Sequence, residues 1–121
     1  MRNKTTILYV ALLAVLIGYG CKDQHPVEPN GLWEKTVNKE IIGTLELEEN
    51  SKFTFTAVDS KHTDSKGRYS LIEDEITFED DTCQNPGTYQ YIIGKDVLTF
   101  TLKDDTCEQR AQVITGTWTL K

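Results

Sequence analysis

The sequence predicts an all-β domain, a small antiparallel up-and-down eight-stranded β-barrel, preceded by a signal peptide helix and a flexible tether. Three observations lead there. From Gly31 onward no stretch keeps helical periodicity for three turns, whereas apolar and polar residues alternate in short runs. Turn residues separate those runs. Where two runs make a hairpin, the residues brought opposite each other are apolar on one face and polar on the other, as one-sided sheets require.

Taken in order, the candidate strands are Leu32 to Val37, Ile42 to Glu48, Lys52 to Val58, Gly67 to Ile72, Glu75 to Glu79, Thr88 to Ile93, Val97 to Lys103 and Thr115 to Leu120. A Glu49-Asn50-Ser51 loop pairs Leu47 with Phe53 and Leu45 with Phe55, and a Glu73-Asp74 turn pairs Leu71 with Ile76 and Tyr69 with Phe78. A Gly94-Lys95 turn, with Gly at the first central position of a type II′ hairpin, pairs Tyr91 with Leu98 and Tyr89 with Phe100. Together with Leu102, Trp118 and Leu120 these positions form one aromatic-rich interior. The opposite face is Thr, Lys, Glu and Gln. Successive hairpins run the ends near Glu79 and Lys103 in the same direction, so the two phrases Asp80-Asp81-Thr82-Cys83 and Asp104-Asp105-Thr106-Cys107 share one rim.

Composition narrows the function. The chain has 121 residues, 19 acidic against 13 basic, and a net charge of -6. That size suits a single small domain. The acidic balance, with no Lys/Arg cluster, argues against nucleic acid as a partner. With two His and no cluster of metal-ligand spacing, neither a metal site nor a cofactor is expected. The acidic groups at Glu73-Asp74-Glu75, Glu79-Asp80-Asp81 and Asp104-Asp105 lack the Gly-centred spacing of a calcium loop and read as solvated turns. His25 lies in a polar linker and His62 in the turn Asp59 to Lys66, with no nucleophile or base beside them in sequence. No catalytic residue is assigned, and the protein is read as a non-enzyme.

Residues 1–20 carry Arg2 and Lys4, no acidic residue, and an apolar run from Ile7 to Ile17 that is shorter than the roughly 20 residues of a membrane span. They read as a secretory signal peptide. Leu16-Ile17-Gly18-Tyr19-Gly20-Cys21 resembles the lipobox of bacterial lipoproteins. The resemblance implies that Cys21 receives diacylglycerol, becomes the first mature residue and anchors the protein to the membrane. The alternative is ordinary secretion with Cys21 as a thiol. Lys22 in place of the Asp that marks inner-membrane retention implies the outer membrane of a bacterial envelope, with the leaflet left open. Residues 21–30, polar with Pro26 and Pro29, form a lipidated cysteine and tether, and residues 31–121 the folded domain. Removing residues 1–20 leaves 11 basic and 19 acidic side chains, a net charge of -8.

With Cys21 assigned to lipid, Cys83 and Cys107 remain as a pair in an oxidising compartment, which favours a disulfide. Closing the 24-residue separation contributes about 3 kcal/mol in the chain-entropy picture. Up-and-down order leaves one strand between the two cysteine-bearing strands, about 10 Å across, so the loops must lean together for the bond to form.

A strand meander opening on Gly31-Leu32-Trp33 resembles the lipocalin-like domains of the calycin superfamily. Cys83, Gly87 to Tyr89, Leu98 to Phe100, Asp105 to Cys107, Arg110 and Gly116 to Trp118 also resemble the pattern of small bacterial lipocalin-like lipoproteins. The resemblance implies that Trp33 packs against Arg110 to close one end of the barrel through a cation–π contact. It also implies a binding role, with a small hydrophobic ligand taken at the open end. Phe53, Phe55, Tyr69, Phe78, Tyr89, Tyr91, Phe100 and Trp118 either line that site or fill the interior, and so many large rings on short strands favour filling. The alternative is a protein-binding module, such as a lysozyme- or protease-inhibitor-like barrel, whose acidic surface meets a basic protein partner. A carrier should keep an unfilled pocket; an inhibitor should show a protruding acidic loop.

Overall fold

A computed structural model describes residues 28–121; the expected signal peptide, Cys21 and most of the expected tether lie outside the described residues. Eight antiparallel strands close into a barrel in sequence order: β1 (Gly31–Val37), β2 (Glu40–Leu47), β3 (Lys52–Ala57), β4 (Ser65–Ile72), β5 (Glu75–Asp80), β6 (Gly87–Gly94), β7 (Val97–Asp104) and β8 (Gly116–Leu120). One short helix, α1 (Glu108–Ile114), sits between β7 and β8. Trp33 opposite Leu120 and Glu34 opposite Thr119 close the seam between β1 and β8. Closure removes the free sheet edges that would otherwise invite association.

The hairpins set the register. Leu47 opposes Phe53 and Leu45 opposes Phe55; Leu71 opposes Ile76 and Tyr69 opposes Phe78, all as the alternation predicts. The β6–β7 hairpin differs. Gly94 stays in the strand opposite Val97, and the turn is Lys95-Asp96, with Asp96 at φ 59°. The pairs are therefore Tyr91 with Phe100 and Ile93 with Leu98, a slip of two residues from the expected register. A slip of two preserves the face of every side chain, so the core is unchanged. A bulge after Thr88 leaves Lys103 unopposed and sets Tyr89 against Leu102.

Inside the barrel, Trp118, Tyr89, Phe78, Phe100, Leu45, Leu47, Ile76 and Leu98 are fully buried. Phe78 lies at the centre, edge-on to Phe53 at 5.1 Å and to Tyr89 and Phe100 at 5.9 Å. Such T-shaped pairs add to area burial. The interior is thus filled by its own rings. Leu102 and Leu120, expected inside, are each 46% exposed: Leu102 stands beside the bulge and Leu120 ends its strand at the rim.

The two ends of the barrel are unlike. One carries the tight turns at 48–51, 73–74 and 95–96 and receives the chain from the tether. There the Trp33 indole donates to the Pro29 carbonyl at 2.9 Å, and the Tyr69 and Tyr91 hydroxyls donate to the Glu48 and Glu73 carbonyls. The other end carries the Asn38-Lys39 turn, the long loops 58–64 and 81–86, and α1. Among the described residues no helix is long and apolar enough to cross a membrane.

Candidate functional site: a cleft beside the helix plug

Helix α1 plugs part of its end of the barrel, and its sequence shows why it docks there. Arg110 and Ile114, four apart, fall on one face and are both buried. Seven residues have no stability of their own, so tertiary contacts must hold the helix. At its N-terminus the Cys83–Cys107 disulfide, with 6.0 Å between Cα atoms, ties the first turn to the β5–β6 loop. The two cysteine phrases do share one rim. At its C-terminus Lys35 Nζ donates to the carbonyls of Val113 at 2.7 Å and Thr115 at 2.5 Å, satisfying acceptors that a helix end leaves free. Burial pushes the Lys35 ammonium below its ordinary pKa. Beneath the helix, the Trp118 indole donates to the Ile114 carbonyl at 3.0 Å.

Arg110 is the ionic anchor of the plug. Its Nε and Nη2 grip both oxygens of Asp105 at 2.7 Å, Nη2 also donates to the Asn85 carbonyl at 2.6 Å, and Nη1 reaches Asp80 at 3.3 Å. These side chains are 5%, 0% and 1% exposed for Arg110, Asp105 and Asp80. A buried charge of this kind is tolerated only when paired and hydrogen-bonded. The Tyr89 hydroxyl adds a further donor to Asp105. Burial would raise the Asp105 pKa and is the largest single influence, yet hydrogen bonds from Arg110, Tyr89 and the Cys107 N–H, with the Arg110 charge, hold it below the ordinary value. The Tyr89 hydroxyl is pushed up, first by burial and then by its bond to Asp105.

This arrangement corrects the expected contact between Trp33 and Arg110. Trp33 points to the tight-turn end and bonds Pro29, whereas Arg110 belongs to the helix end and to carboxylates. The cation–aromatic contact among the described residues is instead Lys35 over Trp118, 5.6 Å from the ring centroid. The resemblance implied that Arg110 meets Trp33 at one end of the barrel; the two residues lie at opposite ends and have different partners.

Between the plug and the β3–β4 side of the barrel a cleft of about 460 Å³ remains. Its floor is Phe53 and Phe55 of β3 with Ile114 and Val113 of α1. Lys61, His62 and Thr63 of the long β3–β4 loop form one lip; Gln109 and Gln112 of the helix form the other. Asp80 and Arg110 stand in the wall between them. The lip is ordered by its own bonds: Asp64 Oδ1 accepts from the Ala57 N–H at 2.8 Å, and Asp59 contacts His62 Nδ1 at 2.8 Å. The bond to the His62 ring is the main reason the Asp59 carboxyl sits below its ordinary pKa. Such a pair leaves Nε2 of His62 as the free ring nitrogen.

Of the eight rings expected to line a site or fill the core, Phe53 and Phe55 do both. Tyr69, Phe78, Tyr89, Tyr91, Phe100 and Trp118 are core. The alternation pattern did not single out Lys61, Thr63, Gln109 or Gln112, because loop and short-helix positions carry no period. Among the described residues no three metal-ligating side chains converge. No family model matches the chain, and no curated protein or solved structure matches it.

Proposed function

We propose that the chain is an exported lipoprotein, held in a bacterial outer membrane by lipid on Cys21, whose lipocalin-like barrel is a non-catalytic module that binds a small hydrophobic ligand in the cleft beside α1. The observation that carries this reading is the unfilled cleft itself. Its volume lies in the range of small-molecule sites, and it joins an apolar floor to a few convergent polar groups. On this reading the ligand sits at the end of the barrel and not inside it, because the interior is filled by its own rings. The tether joins β1 at the opposite end, so an anchored domain leaves the cleft unobstructed by its own attachment.

A second reading, a protein-binding module that meets a basic partner, draws on the tight-turn end. There burial, then Glu28 for both, with Glu48 and Glu49 for Tyr69 and Asp74 for Tyr91, raises the Tyr69 and Tyr91 hydroxyls above their ordinary pKa. Glu48, Glu49 and Asp74 sit on short hairpin turns and form no long acidic loop, and this favours the ligand reading. Native mass spectrometry on residues 22–121, exported to an oxidising compartment, tests the choice. The carrier reading expects the oxidised chain with a co-purified small molecule that leaves on denaturation. A clean unliganded mass that also resists loading with apolar probes overturns it in favour of a surface that binds protein. A Cys21→Ser variant should leave the membrane fraction; a variant that remains there refutes the anchor.

A further inference from the structure

We infer that the cleft selects an uncharged apolar molecule bearing a hydrogen-bond acceptor, such as a ketone, ester or amide oxygen, and discriminates against carboxylates and amines of the same size. The inference rests on the reading of the cleft as the ligand site and goes on to name the ligand's chemistry.

A count of donors comes first. An arginine side chain has five N–H donors. In Arg110 the single Nε–H goes to Asp105, both Nη2 hydrogens go to Asp105 and the Asn85 carbonyl, and one Nη1 hydrogen goes to Asp80. One Nη1 hydrogen is left, on a side chain that is 5% exposed and stands in the cleft wall. Among the described residues no second acceptor meets Nη1, and Asp80 Oδ1 already receives the Thr82 N–H, the Thr82 hydroxyl and the Cys83 N–H. A buried donor without a partner is costly, so a ligand that brings an acceptor gains more than one that does not.

The sign of the charge follows from the same group. Arg110 with Asp80 and Asp105 sums to one net negative charge, held in a part of the molecule that water barely reaches. Charges interact strongly there, so a second anion is repelled. Lys61 on the lip is a counter-charge, but it is exposed, and water and salt screen it. Asp59 across the same lip offsets it further. An ammonium group is drawn by the same net charge, but it has no acceptor to offer the Nη1 hydrogen and is repelled by the guanidinium that carries it. What remains is a neutral oxygen over an apolar body resting on Phe53, Phe55 and Ile114.

Methyl heptyl ketone, octanoate and octylamine, titrated into the protein exported to an oxidising compartment and read by ¹⁵N NMR, test this. The ketone should move the Arg110 Nε–H signal and the amides of Thr63, Ser65 and Gln112, and bind about tenfold or more tighter than either charged probe. Lys61→Gln should leave the preference for the ketone over octanoate in place. Octanoate binding as tightly as the ketone, with Lys61→Gln abolishing it, would show an anion site and overturn the inference while leaving the cleft as a binding site. If none of the probes moves cleft signals, the ligand reading itself falls and this inference falls with it.

Discussion

Gly87 and Asp105 are fitted to each other: a Cβ on Gly87 would lie 2.2 Å from Asp105 Oδ2 and 2.9 Å from Arg110 Nε. The missing side chain at the start of β6 is what admits the carboxylate that neutralises the buried guanidinium. Asp105 cannot swing aside without abandoning Arg110, Tyr89 and the Cys107 N–H together. Gly87→Ala should therefore lower stability by about 2 to 3 kcal/mol, as overpacking at a buried ionic network does. Gly94, where a Cβ would meet nothing within 4 Å, is the control, and Gly94→Ala should stay within about 0.5 kcal/mol. Urea denaturation midpoints at constant slope measure both. Equal losses at the two positions would refute the fit.

The same carboxylate gives the protein an acid-sensitive element. Its folded pKa is held below the ordinary value, so the folded state binds its proton less readily than the unfolded chain does. The stability this confers is complete above the unfolded carboxylate pKa and is lost as pH falls through the folded one. Denaturation should show stability falling below about pH 4. In Asp105→Asn, which keeps the shape and removes the titration, that fall should be shallower on a lower baseline. Parallel pH curves for the two proteins would place the acid sensitivity elsewhere.

Lys35 offers a different kind of test, because its ammonium serves the helix and its stem serves the core. Lys35→Met keeps the stem and removes the bonds to Val113 and Thr115 and the stack on Trp118. Two part-buried carbonyls lose their donor, a loss of about 1 to 2 kcal/mol. Hydrogen exchange should quicken in α1 and at the Trp118 indole while β2 to β5 keep their protection. Uniform loss of protection would mean that Lys35 supports the whole barrel and not the plug.

How far the sequence reveals this molecule depends on periodicity. Strands advertise themselves by alternation, so all eight were legible, along with the inward face of the residues paired across each hairpin, though not the exposure of Leu102 and Leu120. Register in β6–β7 was not, because Gly94-Lys95 and Lys95-Asp96 preserve the same parity, and only the backbone at Asp96, at φ 59°, decides between them. Helix α1 was hidden for another reason. Two turns are too few for a period, and one of its two buried positions is Arg110, which reads as surface until Asp80 and Asp105 are seen beside it. The cleft was hidden with it, since Phe53 and Phe55 carry the same alternation whether a ring or a void lies next to them.

The disulfide and the Arg110 network fasten the same end of α1, and their separate contributions can be measured. Cys107 is the N-cap position of the helix and makes no side-chain capping bond, so the covalent tie to Cys83 stands where a Ser or Asp would otherwise hold the first turn. Replacing both cysteines by Ala, which adds no cap, opens a loop whose ends are 24 residues apart, and stability should fall by about 3 kcal/mol. Arg110 still holds Asp80 on the β5 side and Asp105 on the β7 side, so the barrel should remain folded. Amide shifts should change in residues 81–86 and in α1, with β1 to β4 untouched. A loss below about 0.5 kcal/mol would show that the ionic network alone sets the plug and that the disulfide is redundant for folding.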